Sequence, residues 1–401
     1  MTNLTDIQSA RERIASSIYR SPCPYSHSLS KLCNAQIYCK LEHLQMTGSF
    51  KERGASNKLQ LLSPDERKRG VIAASAGNHA LGLAFHGQRL GIPVTVVMPK
   101  WAPLVKVTNT RSFGATVVLH GEAYDEALQH AQSVAAVRGL TFVSGFDDPA
   151  IIAGQGTAGL EILEDVPDLD AVVVPVGGGG LIAGIGTAIK ALKPSVKVIG
   201  VEPARAATLA ESMKAGEVRK IAPQPTLADG LAVAGAGKLC LEAAKQVVDQ
   251  LCLVQEDALA KAVLRMLELE KIVVEGAGAA PLAAFLDGSI KLDGKKVVLV
   301  LSGGNIDVTM IARIIERGLA ADGRLARFTV RVLDRPGSLA NLLAIIAKAG
   351  GSIKDVTHDR NFGPADVAVV QISCIVETRD HPHIAEIKSA IQAAGITCVE
   401  A

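Results

Sequence analysis

The sequence predicts an α/β protein whose parallel sheets are followed by a smaller ferredoxin-like unit. Short β-branched runs alternate with helical stretches from about residue 70 to residue 301, a pattern typical of parallel strands covered by helices. Three of these runs lead into glycine-rich loops, and beyond residue 325 the predicted order changes to βαββαβ. With 401 residues, of which 48% are hydrophobic, the chain is long enough for two or three domains.

The predicted strands of the first part are short and contain no charged residue. Apolar runs of this length between turn residues are typical of strands that are buried on both faces. The six runs are Val71–Ala74, Val94–Met98, Ala115–Leu119, Ala171–Val174, Val198–Val201 and Val297–Leu301. The predicted helices between the first four runs are Asn78–Arg89, one after Pro103, and Glu122–Arg138.

The last part of the chain has a different pattern, which follows a predicted linker at Gly318–Leu325. A turn at residues 334–339 separates the first strand of this part from its first helix. The predicted elements are a strand at Phe328–Leu333, a helix ending at Lys348, strands at Ile353–His358 and Val367–Glu377, a helix at His383–Ala393 and a strand at Thr397–Val399. The order is that of a ferredoxin-like unit of roughly 75 residues.

Three glycine loops each follow a predicted strand. They are Ser75–His79, Gly177–Gly180 and Ser302–Asn305. Because ligands of parallel sheets bind where the carboxyl ends of the strands meet, we expect the three loops to face one crevice. Glycine lets backbone amides approach a phosphate closely, and a following helix N-terminus adds positive potential. The sequence therefore predicts a site for a phosphorylated ligand.

Lys51 is the candidate reactive residue. It lies in the segment Thr47–Ala55, between small residues and an aromatic one, near the start of a predicted helix. A lysine that loses water has a lowered pKa and becomes a usable amine. Such an amine can attack a carbonyl and hold an aldehyde cofactor as a Schiff base.

Composition excludes several classes of protein. Aromatic residues are 3% of the chain and the formal charge is +2, so neither a nucleic-acid partner nor a membrane partner is expected. The seven cysteines form no CxxC pair, which favours free thiols in a reducing cytoplasm. The N-terminus has no apolar signal region, and the uncharged stretch 171–189 is interrupted by Pro175 and four glycines. We therefore expect a cytoplasmic protein.

The tetraglycine also fits a second cofactor. Gly178, Gly180 and Ala183 match G-x-G-x-x-[GA] between a strand and a helix, and Glu202 ends the next strand. This pattern would indicate an NAD-dependent dehydrogenase. The match lies in the middle of the chain, however, and it leaves the segments around Lys51 and Ser75–His79 without a role. Pyridoxal phosphate would use all of them, because it needs a lysine, a phosphate cradle and polar groups for its ring.

Six motifs occur in the order and spacing of a known family: GSFKERGA, SAGNHA, VGGGGL, ADG, EGAGA and SGGN. On these motifs the chain resembles the fold-type II, tryptophan synthase β-like, pyridoxal-phosphate lyases, specifically threonine ammonia-lyase with a C-terminal ACT-like domain. The resemblance implies a catalytic domain at 1–320, with a small lobe inserted at roughly 45–150, and an ACT-like regulatory domain at 326–401. It also implies a homodimer or homotetramer.

The resemblance assigns two catalytic residues, Lys51 as the Schiff-base lysine and Ser302 as the partner of the pyridine nitrogen. The residues it assigns to binding pyridoxal 5'-phosphate are Phe50, Lys51, Asn78, Gly177, Gly178, Gly179, Gly180, Gly230, Glu275 and Ser302. Asn78 would bind the ring hydroxyl, and the four consecutive glycines would bind the phosphate. The residues it assigns to the substrate carboxylate are Ser75, Gly77 and Asn78.

The implied reaction is β-elimination of L-threonine to 2-oxobutanoate and ammonia, with L-serine giving pyruvate as a side activity. Dehydration of serine or threo-3-hydroxyaspartate, racemisation, and a non-catalytic amino-acid sensor are the alternatives. Ala76 stands where racemases of the family have a serine, which favours elimination. Thr208 stands where their metal site has a carboxylate, so no metal is expected, although Glu202 matches one ligand.

The ACT-like domain implies control by a small molecule. The residues assigned to a possible amino-acid effector are Asp334, Gly337, Ser338 and Leu339. His79, which follows Asn78, is expected to be a packing or capping histidine rather than a catalytic base.

Overall fold

The computed structural model describes residues 1–360 and 366–399. It divides into two compact units, Met1–Ile306 and Asp307–Ala401. The first unit contains two parallel sheets covered by helices, and the second contains one antiparallel sheet. The α/β class and the antiparallel C-terminal unit are confirmed.

The strands of the first unit form a five-stranded and a four-stranded sheet. The strands are β1 (Gln36–Lys40), β2 (Val71–Ala74), β3 (Val94–Met98), β4 (Thr116–Leu119), β5 (Thr141–Phe142), β6 (Ala171–Pro175), β7 (Lys197–Pro203), β8 (Gln250–Val254) and β9 (Lys296–Val300). The larger sheet has the order β1-β9-β6-β7-β8 and the smaller one β4-β3-β2-β5. All pairs are parallel, and Val172 of β6 lies opposite Val198 and Val298 of its neighbours.

Thirteen α-helices of the first unit connect these strands. They are α1 (Leu4–Ile14), α2 (His27–Cys33), α3 (Lys51–Gln60), α4 (Pro64–Arg69), α5 (Asn78–Leu90), α6 (Leu104–Ser112), α7 (Tyr124–Arg138), α8 (Pro149–Asp165), α9 (Gly180–Leu192), α10 (Thr208–Ala215), α11 (Lys238–Val247), α12 (Glu256–Arg265) and α13 (Gly276–Leu286). Short 3₁₀ turns lie at Glu42–Leu44, Ala204–Ala206 and Asp229–Leu231, and a π-turn lies at Met266–Glu270. None of the helices in the described part of the chain is long and apolar enough to cross a membrane.

Local sequence explains several helix starts. Asp148 accepts hydrogen bonds from the first backbone amides of α8, and Pro149 occupies the first helical position. Helices α8 and α9 pack closely because both carry glycine at the contact. A Cβ on Gly184 would lie 2.4 Å from the carbonyl oxygen of Ile152, so a larger residue would push the two helices apart.

The sequence did not predict the two-residue edge strand β5 of the smaller sheet, nor the edge strands β1 and β8 of the larger one. Lys40 interrupts the apolar pattern of β1, yet its side chain is fully buried and pairs with Glu161 at 2.7 Å. Strand β8 has an exposed residue, Leu253, between two buried ones. Neither strand therefore shows the continuous apolar run that marks a central strand.

The second unit has the predicted βαββαβ order, preceded by one more helix. Its elements are α14 (Val308–Ala321), β10 (Leu325–Leu333), α15 (Ser338–Lys348), β11 (Ser352–Asp359), β12 (Val369–Glu377), α16 (His381–Ala393) and β13 (Thr397–Val399). The sheet is antiparallel, in the order β11-β12-β10-β13. The predicted domain 326–401 includes residues 361–365, 400 and 401, which lie outside the described residues.

The predicted linker at Gly318–Leu325 is partly helical. Asp307 caps α14 by accepting a hydrogen bond from the amide of Thr309, and the helix continues to Ala321. Ile314 anchors α14 by its buried side chain. The boundary between the two compact units follows residue 306 and precedes α14, whereas the sequence predicts it between residues 320 and 326.

Candidate active site

A cavity of about 270 Å³ lies in the first unit, and all three predicted glycine loops contribute to its lining. The loops follow β2, β6 and β9, so the carboxyl ends of strands from both sheets meet there. The predicted site residues that line it are Phe50, Lys51, Ser75, Gly77, Asn78, Gly177, Gly178, Gly179, Gly180, Gly230, Glu275 and Ser302. The structure thus brings together every residue assigned to cofactor and substrate.

Lys51 is the first residue of α3, and its amine is held inside the cavity. Its Nζ donates a hydrogen bond to the carbonyl oxygen of Gly145 at 2.6 Å and lies 5.1 Å from the centre of the Phe50 ring. Burial lowers the pKa of Lys51 to about 8, although the charge of Glu275 opposes this shift. The amine is therefore far more often neutral at physiological pH than that of a solvated lysine.

The loops of Lys51 and Ser302 are joined by backbone hydrogen bonds. The amide of Phe50 donates to the carbonyl oxygen of Ser302 at 3.0 Å, and the amide of Gly304 donates to that of Gly48 at 2.9 Å. Ser302 is 2% exposed. These bonds fix Ser302 relative to the start of α3, although about 250 residues of chain separate the two segments.

Three polar side chains form a chain of hydrogen bonds beside the cavity. Asn305 Nδ2 donates to Asn78 Oδ1 at 2.9 Å, and Asn78 Nδ2 donates to Glu275 Oε1 at 2.8 Å. Burial and, to a smaller extent, the negative charge of Asp229 raise the pKa of Glu275 to about 7, against the hydrogen bond from Asn78, which lowers it. Glu275 therefore exchanges a proton near neutral pH.

The tetraglycine loop begins α9 and packs against Phe146. A Cβ on Gly178 would lie 2.3 Å from the Phe146 ring, and a Cβ on Gly180 would lie 2.8 Å from the Phe146 carbonyl oxygen. Gly179 has a φ of +94°, which favours glycine. Because the loop precedes a helix, its amides and the helix N-terminus provide a site for an anion.

A second helix N-terminus faces the cavity at Gly77 and Asn78, where α5 begins. A Cβ on Gly77 would meet no atom within 4 Å, so the cavity is open at this point. Ser75 Oγ accepts a hydrogen bond from the amide of Gly77 at 3.2 Å. This loop offers a second anion position, distinct from the tetraglycine.

The cavity also contains residues that sequence analysis did not assign. Lys106 Nζ pairs with Asp229 Oδ2 at 2.8 Å, and Tyr124 also lines the cavity. Asp229, which lines the cavity, belongs to the ADG motif, and Asn305, which lies behind the lining residues, belongs to the SGGN motif, so these motifs could have identified both. Lys106 and Tyr124 lie in or at the start of helices that carry no motif, so no local signal marks them.

The side chains of His79 and Glu202 form hydrogen bonds with backbone groups of the fold. His79 is buried, its Nε2 lies 3.2 Å from the carbonyl oxygen of Val143, and burial lowers the pKa of His79 to about 3. The carboxylate of Glu202 accepts hydrogen bonds from the amides of Leu209 and Ala210 at the start of α10. Within residues 1–360 and 366–399, no group of three or more metal-binding side chains occurs.

The second unit has a cavity of its own, of about 350 Å³. All four residues predicted for an effector, Asp334, Gly337, Ser338 and Leu339, line it. Arg360 also lines it, and its Nε pairs with Asp334 at 3.0 Å. The cavity therefore combines a cation, a carboxylate and the start of α15.

The profile of the family described as "Pyridoxal-phosphate dependent enzyme" matches residues 14–303. The chain therefore belongs to the pyridoxal-phosphate dependent enzymes, and the predicted cofactor is confirmed. This result also decides against the NAD-dependent dehydrogenase.

Among individual relatives, the L-threonine ammonia-lyase of Thermotoga maritima is 47% identical over 395 residues, which is 98% of both chains. The L-threonine ammonia-lyase of Geobacter sulfurreducens is 44% identical over the same shares. The solved threonine deaminase isoform 2 of Solanum lycopersicum is 38% identical, with a TM-score of 0.74 over 78% of this chain and 86% of that one. Serine racemase of Dictyostelium discoideum is 36% identical, with a TM-score of 0.72 over 77% and 99%.

The residues present fit pyridoxal phosphate. The buried amine of Lys51 suits its aldehyde, and the tetraglycine at the start of α9 suits its phosphate. The open space at Gly77 and the nearby Ser302 hydroxyl leave room and a polar partner for a ring. The cavity thus offers each kind of group that the cofactor needs.

Proposed function

We propose that the protein is an L-threonine ammonia-lyase, which converts L-threonine to 2-oxobutanoate and ammonia, and L-serine to pyruvate more slowly. The observation that carries this proposal is the buried amine of Lys51, placed in one cavity with Ser302, Asn78 and the tetraglycine. Relatives named L-threonine ammonia-lyase that align over 98% of the chain support the choice of substrate.

Bound pyridoxal phosphate supplies an electron sink for a carbanion at the Cα atom of the amino acid. Lys51 Nζ would hold the cofactor until the amino group of the substrate takes its place. The freed amine would then accept the Cα proton of the substrate, a role that its lowered pKa favours. The amides of Gly177–Gly180 bind the phosphate. Phe50 and Gly230, which both line the cavity, would lie on either side of the ring, and Glu275 would face the side chain of the substrate.

The substrate carboxylate binds at the start of α5, to Ser75 and the amides of Gly77 and Asn78. This position gives it a helix N-terminus and leaves the amino group free to reach the cofactor. The Cα proton and the β-hydroxyl are lost together as one water molecule, and the released enamine then takes up one water molecule to give the 2-oxo acid and ammonia.

Ala76 supports elimination over racemisation. Ala76 lines the cavity next to Gly77, and its methyl group can neither donate a proton to the substrate nor accept one from it. Racemisation needs proton transfer on both faces of Cα, so a single base at Lys51 favours elimination. Ser302, an uncharged partner for the ring nitrogen, would make the cofactor a weaker electron sink, so that elimination competes better against transamination.

The test combines a spectrum with an assay. Purified protein is expected to show the visible absorbance of a lysine-bound pyridoxal cofactor and to form 2-oxobutanoate from L-threonine. Lys51→Ala should lose both, whereas Lys68→Ala, a change at an exposed lysine of α4, should retain both. A colourless protein that forms no 2-oxo acid would refute the proposal.

We also propose that an amino acid binds the cavity of the second unit and modulates the enzyme. Arg360 is placed to donate hydrogen bonds to a carboxylate, and Asp334 to accept them from an ammonium group. Titration calorimetry with single amino acids, compared between wild type and Asp334→Ala, tests the site. Equal heats for both proteins would refute it.

We further propose a homodimer or homotetramer in the cytoplasm. Met46 and Leu44 are 67% and 44% exposed, and Val273, which is 44% exposed, lies on a segment that meets Gly304 beside His43. Such exposed apolar residues favour contact with a second copy.

The free cysteines of the described residues fit a reducing compartment. Light scattering of wild type and Met46→Lys tests the assembly, and a monomeric wild type would refute it.

A further inference from the structure

We propose that Asn305 is a positioning residue that fixes the side-chain amide of Asn78, so that Asn78 presents its nitrogen to Glu275 and the cavity. This inference rests on the proposed function, in which Asn78 binds the cofactor ring. The family motifs assign no role to Asn305, which lies behind the residues that line the cavity.

The direction of these hydrogen bonds is set by the contact between Asn305 and the backbone of Thr47. Asn305 Nδ2 donates to the backbone carbonyl oxygen of Thr47 at 2.7 Å. A carbonyl oxygen can only accept, so Asn305 must point its nitrogen there. The second hydrogen of that nitrogen is directed to Asn78 Oδ1 at 2.9 Å.

Asn78 is consequently left with one orientation. With its oxygen engaged by Asn305, its Nδ2 faces Glu275 Oε1 at 2.8 Å. An amide nitrogen has two hydrogens, so Asn78 retains a second donor for a ligand in the cavity. A reversed amide would place two donors against each other at Asn305 and an oxygen against the Glu275 carboxylate.

Two glycines provide the space for this arrangement. Gly48 has a φ of +77°, and a Cβ there would lie 2.5 Å from Asn305 Oδ1. A Cβ on Gly303 would lie 2.4 Å from Glu275 Oε1 and 3.1 Å from Asn78 Nδ2. The glycines of the GSFK and SGGN motifs therefore let the three side chains approach each other, in addition to any contact with a phosphate.

The experiment is a double-mutant cycle on the full-length enzyme with Asn78→Ala, Asn305→Ala and the double variant. The dissociation constant of pyridoxal phosphate is measured by titrating each apoenzyme, and the absorbance maximum of each loaded enzyme is recorded. Asn305→Ala should weaken cofactor binding roughly tenfold, equivalent to one well-placed hydrogen bond. In the Asn78→Ala background the same change should have no further effect.

The spectrum separates positioning from general loss of structure. Asn305→Ala should shift the absorbance maximum in the same direction as Asn78→Ala, whereas Asn109→Asp at an exposed position of α6 should leave it unchanged. Asn305→Asp has nearly the same shape as asparagine but cannot donate a hydrogen bond to Thr47, so it should behave like Asn305→Ala. If Asn305→Ala does not fold, Asn305→Asp tests the same inference.

Independent, additive losses in the cycle would overturn the inference. An unshifted spectrum of Asn305→Ala beside a shifted spectrum of Asn78→Ala would also overturn it. Failure of the proposed function has a different signature, because a wild-type enzyme that forms no 2-oxobutanoate would refute the activity while the affinities and spectra still test Asn305.

Discussion

Replacing Arg53 by methionine should destabilise the first unit strongly. Arg53 is 1% exposed and lies two residues after Lys51 on α3. Its Nε and Nη2 donate to the two oxygens of Glu42 at 2.8 and 2.7 Å, and Nη1 and Nη2 donate to those of Glu161 at 2.7 and 2.8 Å. One guanidinium therefore bridges two buried carboxylates, and Lys40 provides a second positive charge beside Glu161.

The cost of the substitution falls mainly on Glu42. Glu161 keeps an ion pair with Lys40 at 2.7 Å, whereas Glu42 keeps hydrogen bonds from Ser21 and Gln45. Removing one partner of a buried ion pair costs about 3–5 kcal/mol. With an unfolding entropy of about 2.1 cal/mol/K per residue over residues 1–306, the melting temperature should fall by roughly 5–8 °C.

The loss should also depend on pH. Burial tends to raise the pKa of Glu42, but the charge of Arg53 holds it below its usual value. Without Arg53, burial raises that pKa, so the folded variant binds a proton more readily than its unfolded chain. Its stability deficit should therefore shrink as the pH falls from 8 toward 5.

Scanning calorimetry of the full chain at several pH values measures both effects. Arg53→Met combined with Glu42→Gln should recover part of the loss, because the buried group that lost its partner is then neutral. A variant as stable as wild type, or a deficit that is the same at every pH, would refute the account of the buried cluster.

Three other predictions concern the site. The pKa of Lys51 in the folded protein is about 8, below the usual 10.5, so between these pH values the unfolded chain binds more protons than the folded apoenzyme. Calorimetry should therefore show that the free energy of unfolding of the wild type rises with pH relative to that of Lys51→Ala. Parallel curves of unfolding free energy against pH would contradict this. Gly48→Ala places a Cβ 2.5 Å from Asn305 at a φ of +77°, so the kcat/KM for L-threonine should fall at least about tenfold, and normal kinetics would contradict the packing argument. Ser302→Asp should keep the ring nitrogen of the cofactor protonated and increase transamination relative to the formation of 2-oxobutanoate and ammonia. Product analysis with an unchanged ratio would count against the role of Ser302.

Much of the site could be predicted from the sequence because its parts are local. A lysine at a helix start, four glycines between a strand and a helix, and a serine after a strand are each visible within ten residues. The alternation of apolar strands and helices then predicts that these loops share one edge, since parallel strands carry their ligands at the carboxyl ends. The edge strand β1 was missed for a non-local reason, because the partner that allows Lys40 to be buried is Glu161, more than a hundred residues away.

The sequence by itself determined the fold class, the family motifs and the glycine loops predicted to hold the cofactor, because these depend on periodicity and backbone conformation over short segments. Only the tertiary structure decided how the groups are tuned. The pKa of Lys51 depends on burial by the whole cavity, and that of Glu275 on burial and on Asp229 and Asn78. The orientation of Asn78 depends on Asn305, which is 227 residues further along the chain. Desolvation and hydrogen-bond direction are properties of three-dimensional neighbours, so no local pattern could have determined them.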